Sequence, residues 1–208
     1  MNIALFGGTF DPIHLGHIAV AHAAMADPRF HLDQVRFVPA ELPPFKQNEH
    51  ITPFDQRFAM IALALQEAAE PRFVASRMEA PVAGRAAAPN YSIQTVRRFK
   101  ASLKPEDKLF FIAGIDAFQD IAKWREPDAL LRECRFIAVS RPGYSMGNAL
   151  AALPASFMEL RANIFLLESV HADISSTRIR EAIHAGAPLN ALVPNSVADY
   201  ILQHGLYH

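Results

Sequence analysis

The first twenty-five residues commit this chain to an α/β plan. Ile3, Ala4, Leu5 and Phe6 form a short apolar run of the kind that becomes a buried strand. The stretch Gly7-Gly8-Thr9-Phe10-Asp11-Pro12-Ile13-His14-Leu15-Gly16-His17 follows, and Ile18 to Met25 then show the Ala-rich apolar spacing of a helix. A Gly-rich turn therefore joins a strand to a helix N-terminus. There, free backbone N–H groups and the positive end of the helix dipole favour a phosphate. Gly8 and Thr9 allow close backbone approach to an anion, because glycine has no Cβ in the way. His14 and His17 stand three apart, so on a helix beginning near Ile13 they point to one side of its first turn. Taken alone, such a pair is most simply a surface or cap feature, and for a metal it lacks a third ligand nearby. The Gly-Gly-Thr-Phe context shifts the weight to phosphate chemistry.

Strand and helix patterns alternate along the rest of the chain. The fold class expected is α/β: a Rossmann-like, doubly wound, mostly parallel sheet with helices on both faces and a small C-terminal helical portion. Strands are expected near Asn2–Gly7, Gln34–Val38, Arg72–Ala75, Leu109–Ala113, Arg135–Ser140 and Asn163–Leu167. Helices are expected near Leu15–Ala26, Phe54–Ala69, Ser92–Ser102, Pro127–Arg132, Met146–Ala152, Ser176–Ala185 and Ser196–His204, with Gly205 as a C-cap. The Pro-rich segment Pro39–Pro53 is too long for a routine connection and reads as a functional or a disordered loop. No internal repeat interrupts this organisation. A length of 208 residues suits one domain spanning 1–208, its helical portion beginning at about 174.

The net charge of −1 gives no basic field, which argues against nucleic acid as the main partner. No apolar run approaches transmembrane length, and the N-terminus enters a strand without a basic, cleavable leader. The single cysteine, Cys134, cannot form an internal disulfide. Together these point to the cytoplasm and away from a membrane.

Three further constellations carry chemistry. Ile174-Ser175-Ser176-Thr177-Arg178-Ile179-Arg180 opens a late helix. One hydroxyl is explained as an N-cap, but three hydroxyls followed by two arginines suit a polyphosphate tail, with Arg180 one turn in. Lys46, in Pro43-Pro44-Phe45-Lys46, is placed to close over phosphates if the loop is semi-rigid. Gly114-Ile115-Asp116 follows a buried strand, at the end of the sheet where such folds bind ligands, and Asp116 there is either a ribose anchor or a helix cap. Trp124, the only tryptophan, is a core residue or a platform for a flat heterocycle. A dehydrogenase-type Rossmann domain is disfavoured, since the first turn lacks the spaced-glycine fingerprint and its later acidic residue.

These motifs resemble, nearly end to end, those of bacterial nicotinate mononucleotide adenylyltransferases, members of the H-x-G-H nucleotidyltransferase superfamily. The resemblance runs through GGTFDPIHLGH, PAELPPFK, NYSIQT, FIAGIDAF with WREPDALL, SRPG, ISSTRIR and LVPNSVADYILQHGLY. It implies an enzyme of NAD biosynthesis. The adenylyl group of ATP would pass to nicotinate mononucleotide, giving nicotinate adenine dinucleotide and pyrophosphate, with Mg²⁺ accompanying ATP and no metal-ligand set in the protein. It assigns phosphate contact and transition-state charge to His14 and His17. The amides around Gly8, Thr9 and Phe10 would hold phosphate, and Lys46, Ser176, Thr177 and Arg180 the triphosphate. Gly114 and Asp116 would hold the adenosine ribose, and Arg141 would lie near the adenine. Tyr91 and Ser92 would meet the nicotinate carboxylate through backbone N–H groups, with Trp124 stacked on the ring.

Two positions depart from the family pattern: Phe45 stands where it usually has histidine, and Ser92 where it usually has threonine. Phenylalanine cannot donate a hydrogen bond, whereas a backbone contact at Ser92 survives the change. The alternatives are an acceptor other than nicotinate mononucleotide (nicotinamide mononucleotide or phosphopantetheine) and a non-catalytic nucleotide sensor. Homo-oligomer formation is left open by the sequence.

Overall fold

In the computed structural model, residues 1–45, 50–84, 86, 88–140, 155–167 and 174–207 are described, with only the backbone at Asp116, Ala155, Ser156 and Met158. The elements in chain order are β1 (Asn2–Gly8), α1 (Leu15–Ala26), β2 (Gln34–Pro39), α2 (Phe54–Ala68), β3 (Phe73–Ala75), α3 (Ser92–Lys100), β4 (Lys108–Gly114) and α4 (Ile115–Gln119). They continue with α5 (Pro127–Glu133), β5 (Arg135–Val139), β6 (Ile164–Leu167), α6 (Ser176–His184) and α7 (Asn195–Gln203). Short 3₁₀ turns occupy Ile121–Lys123 and Ala155–Asn163. All six expected strands form, within a residue or two of the expected limits. The helix expected at Met146–Ala152 lies outside the described residues. The short helix α4 and the three-residue 3₁₀ turn at Ile121–Lys123 are too brief to show a hydrophobic period, and Ala155–Asn163 was not expected from the sequence.

The six strands are parallel in the order β3-β2-β1-β4-β5-β6. β1 lies at the centre, with Leu5 opposite Arg36 on one side and Phe111 on the other. Its continuous apolar run is explained by burial on both faces, since successive side chains point to opposite sides. Ala4, Phe6, Phe37, Phe110 and Ile112 face a core closed by Ile18 and Ala21 of α1, Met60 and Ile61 of α2, Ile179 of α6 and Ile201 of α7. Ile3, Leu5, Phe111 and Phe136 face a second core closed by Ile93 and Val96 of α3 and Leu130 and Leu131 of α5.

After β1 the chain builds outward through β2 and β3, then returns to place β4 on β1's other edge. The strand order reverses between β1 and β4, and a crevice opens there beyond their C-terminal ends. Gly7 is required at that point: a Cβ on it would stand 2.9 Å from the Phe111 ring carbon Cζ. At the far end, Gly205 takes a φ of 55° after α7 and Leu206 donates its N–H to Ile201 O (3.0 Å), a helix stop of the expected glycine type. Glu67 of α2 accepts from the N–H groups of Asn195 and Ser196, which ties α7 and the C-terminal tail to the rest.

Gly7→Ala should lower stability by about 1–3 kcal/mol through overpacking, measured by urea denaturation. Phe111→Leu in the same chain should recover part of that loss. An unchanged urea midpoint in Gly7→Ala would refute the contact.

Candidate active site

Two cavities meet at the crevice, sharing Gly7, Thr9 and Gly114 on their common rim. The first, of about 380 Å³, is lined by Thr9, Phe10, Asp11, His14, Gly16 and His17 from the β1–α1 corner, and by Ser175, Ser176 and Thr177 from the start of α6. Two helix N-termini thus converge on one polar space, each presenting N–H groups with no partner within its helix.

His14 is the N-cap of α1 and His17 sits in its first turn. Their rings stack at 3.6 Å, and His17 lies edge-on to Phe10 at 4.8 Å. The His14 backbone N–H donates to His17 Nδ1 (3.2 Å), so that nitrogen is unprotonated and Nε2 carries the proton of the neutral ring. Burial lowers the His14 pKa to about 4. His17 is also held well below the ordinary range, first by burial and then by its neighbour His14. Both rings are neutral at pH 7 in the unliganded chain. His14 Nδ1 is buried and has no hydrogen-bond partner among the described residues. An unpaired buried polar atom of this kind is costly and marks a place where a ligand is expected.

The turn itself is held at its carbonyls. Ser176 Oγ donates to Pro12 O (2.9 Å) and Arg180 Nη1 to Asp11 O (2.8 Å). The N-cap of α6 is Ser175, whose Oγ accepts from the Arg178 N–H. Ser176 therefore serves the turn through its hydroxyl while lining the cavity. Arg180 lies at the next cavity, of about 450 Å³, with Asp11, His50 and Tyr207. Gly8 has an explanation other than anion approach: the Phe10 ring lies 3.1 Å from where a Cβ would stand.

The second cavity, of about 430 Å³, is more apolar. Its walls include Val38, Pro43, Pro44, Phe45, Tyr91, Ser92, Phe111 and Trp124. Trp124 rests edge-on against Phe111 (6.1 Å) and Phe136 (6.3 Å), so it is packed on the core and also borders the cavity. Tyr91 is the N-cap of α3 and Ser92 its first residue, which turns a third helix N-terminus to this space. Phe45 is 64% exposed at the rim. Gly114 borders both cavities at the end of β4. Asp116 follows in α4, described by its backbone alone, while Lys46 and Arg141 lie outside the described residues.

Four lining or supporting residues had no separate notice in the sequence. Asn90 exchanges two hydrogen bonds with Leu42, its Oδ1 accepting (2.8 Å) and its N–H donating (3.0 Å), and so fastens the Pro-rich loop to the start of α3. Lys123 and Arg125 bring positive charge to the second cavity, Arg125 lying over the Tyr91 ring at 4.8 Å. Glu79 lines the same cavity, buried, and accepts a hydrogen bond from Thr95 Oγ1. Desolvation raises its pKa to about 7, opposed by the Thr95 hydrogen bond and by Arg98. Thr95 lies on the buried face of α3, and the carboxyl opposite it comes from an irregular segment, where no period exists.

The sequence matches the cytidylyltransferase-like family over residues 5–182. It is 40% identical over 206 residues to the probable nicotinate-nucleotide adenylyltransferase of Moorella thermoacetica, covering 99% of this chain and 91% of that protein. Proteins of the same name from Solibacter usitatus and Thermus thermophilus are each 39% identical over the full length of both chains. The chain belongs to the nicotinate-nucleotide adenylyltransferase family. The fold of this family member is also that of the Plasmodium falciparum nicotinic acid mononucleotide adenylyltransferase complexed with NaAD. The TM-score is 0.73 at 19% identity, over 99% of this chain and 97% of that one. The family membership makes it a nucleotidyltransferase, with the sheet and helix plan its sequence implied.

Glu79 and the histidines act oppositely on stability with pH. Folded Glu79 keeps its proton up to about 7, against an ordinary 4.5, so its stabilising contribution is complete below 4.5 and is lost as pH rises through 7. His14, neutral down to about 4 against an ordinary 6.5, contributes above 6.5 and loses that as pH falls through 4. Comparing Glu79→Gln with the unmodified chain isolates the first effect. The stability of the variant relative to the unmodified chain should rise between pH 5 and 7.5, by up to roughly 3 kcal/mol at about 1.4 kcal/mol per pH unit. Parallel stability–pH curves would show that Glu79 ionises normally.

Proposed function

We infer that this chain transfers the adenylyl group of ATP to nicotinate mononucleotide, releasing pyrophosphate and forming nicotinate adenine dinucleotide for NAD synthesis. The observation that carries this is the pair of cavities sharing one rim at Gly7, Thr9 and Gly114. One is polar and bounded by two helix N-termini and the histidine pair. The other is apolar and bounded by Trp124 and a third helix N-terminus. Two nucleotides laid in them would bring their phosphates together at that rim. The names of relatives at 39–40% identity support the same substrates.

In this reaction a phosphate oxygen of the mononucleotide bonds to the α-phosphorus of ATP, and the bond from that phosphorus to the bridging oxygen of the β-phosphate breaks, the electron pair leaving with pyrophosphate. The nucleophile is already anionic, so alignment and charge dispersal outweigh proton removal. His17 donates from Nε2 and His14 contributes its ring at the α-phosphate, and the polyanion raises both histidine pKa values as it binds. The amides of Thr9 and Phe10 hold phosphate oxygens, with Gly8 admitting the Phe10 ring that shapes the turn. Thr177, Ser176 and the α6 N-terminus hold the triphosphate, with Arg180 and Lys46 at its far end.

Gly114 and Asp116 hold the adenosine ribose, and Arg141 lies by the adenine. The α3 amides at Tyr91 and Ser92 receive the nicotinate carboxylate, and Trp124 stacks on the ring. Lys123 and Arg125 offset the mononucleotide's phosphate charge. Phe45, at the same rim, adds apolar cover in place of a hydrogen-bond donor. ATP enters with Mg²⁺, whose coordination is completed by phosphate oxygens and water. Asp11, the carboxylate nearest the turn, is already engaged by the Thr52 N–H and the Tyr207 hydroxyl. No described helix is long and apolar enough to cross a membrane, and we place the enzyme in the cytoplasm, acting as one domain of residues 1–208.

The test is pyrophosphate release from Mg²⁺–ATP with nicotinate mononucleotide, nicotinamide mononucleotide and phosphopantetheine supplied in turn. A strong preference for the nicotinate acceptor is expected. Preference for another acceptor would overturn the substrate but keep the chemistry, and ATP binding without release in any mixture would indicate a sensor. His17→Ala should lower kcat by about a hundredfold or more. Trp124→Ala should raise KM for the mononucleotide about tenfold with KM for ATP little changed. Equal kcat in the first variant, or equal mononucleotide KM in the second, would remove that residue from its role.

A further inference from the structure

Arg57 of α2 is 1% exposed, the largest side chain that is so fully enclosed. Its guanidinium donates to three main-chain carbonyls: Nε to Thr52 O (2.7 Å), Nη1 to Thr9 O (2.7 Å) and Nη2 to Glu41 O (3.4 Å). These belong to three separate stretches: the β1–α1 turn and the two ends of the Pro-rich loop. Burying a guanidinium is expensive, and a methionine or leucine would fill the same volume at lower cost. A structural need to bring these loops together is one reason for it to be there. The conformation of the turn supplies another.

Phe10 has a φ of 51°, the left-handed region, which an aromatic residue enters only at a cost. Such a conformation persists where its surroundings over-determine it. The peptide entering Phe10 is held at its carbonyl by Arg57. In a trans peptide the C=O and N–H point in opposite directions. Anchoring Thr9 O toward the buried side of α2 therefore turns the Phe10 N–H away from Arg57. Thr9, Phe10, His14 and His17 line a cavity that Arg57 itself does not border.

We propose that Arg57 is a positioning residue for adenylyl transfer, holding the Thr9–Phe10 peptide so that the Phe10 N–H is presented to a phosphate oxygen of the bound triphosphate. This rests on the ATP site inferred above but not on the identity of the acceptor. Arg57 touches no substrate. Its action passes through one peptide plane, and its bonds to Glu41 and Thr52 carry the Pro-rich loop into the same arrangement. A lysine at this position reaches one carbonyl and keeps the charge, and a methionine keeps the volume and no donor.

The test uses the full chain and an ATP analogue with a methylene group between the α- and β-phosphorus atoms, titrated calorimetrically into the unmodified protein, Arg57→Lys and Arg57→Met. The expected result is a tenfold or greater loss of analogue affinity in Arg57→Met and a smaller loss in Arg57→Lys, each larger than the accompanying loss of mononucleotide affinity. A second measurement needs no variant: the Phe10 amide resonance of the ¹⁵N-labelled protein should shift when inorganic pyrophosphate is added. A cooperatively folded Arg57→Met that binds the analogue as the unmodified chain does would overturn the role. So would an unmoved Phe10 resonance in a chain whose other amides respond, and this decides the matter even if both variants fail to fold. Failure of the unmodified chain to bind the analogue at all would instead overturn the ATP site.

Discussion

The pairing of β1 with β4 at the middle of the sheet is the constraint on which the rest of the structure depends. Both strands are covered on both faces, so their side chains belong to two separate cores and their register is strongly specified. The reversal of strand order between them leaves a crevice that no crossover helix fills. Gly7, pressed against Phe111 at that seam, lets the two strand ends approach without a side chain between them. Each element that reaches the crevice does so because its strand ends there. β1 delivers the histidine-bearing turn, β4 delivers Gly114, and β2 leads into the Pro-rich loop.

Chemistry at this crevice is mostly backbone chemistry. Three helix N-termini, those of α1, α3 and α6, face the two cavities, and their orphan N–H groups make a site suited to anions before any charged side chain is counted. The histidines fit that design. Neutral and stacked at 3.6 Å, they add no positive charge of their own to the unliganded chain. Several polar side chains act by holding carbonyls: Arg57 on Thr9, Arg180 on Asp11 and Ser176 on Pro12. At the Thr9–Phe10 peptide the anchored carbonyl turns the following N–H the opposite way, whereas Asp11 is followed by Pro12, so Arg180 fixes the turn there without presenting a donor. The C-terminal tail belongs to the same arrangement, since the Tyr207 hydroxyl donates to Asp11 from nearly the other end of the chain.

What the amino-acid order determined by itself was everything written in local pattern. Strand β1, the turn to His17 and helix α1 lie within 26 residues, and each is specified by period or by glycine and proline chemistry. The alternation of strands and helices determined the parallel sheet, because a right-handed crossover leaves little choice of topology. The grouping of His14, His17, Ser176 and Thr177 around one cavity followed from the same logic, as each lies at a strand's end or a helix's start.

Only the tertiary structure decided which side chains act across long separations. Arg57 reads in sequence as an ordinary charge on an amphipathic helix, and its burial among carbonyls of residues 9, 41 and 52 depends on three loops converging. Glu79 reads as a loop carboxylate, yet burial strips its water and raises its pKa to about 7 against the opposing pull of its Thr95 hydrogen bond. Gly8 suggested room for an anion; it borders the second cavity, and the place a Cβ would take is filled by the Phe10 ring. Burial and hydrogen-bond geometry are properties of surroundings assembled from distant segments. Local periodicity carries the face a residue presents, but not what the fold brings to meet it.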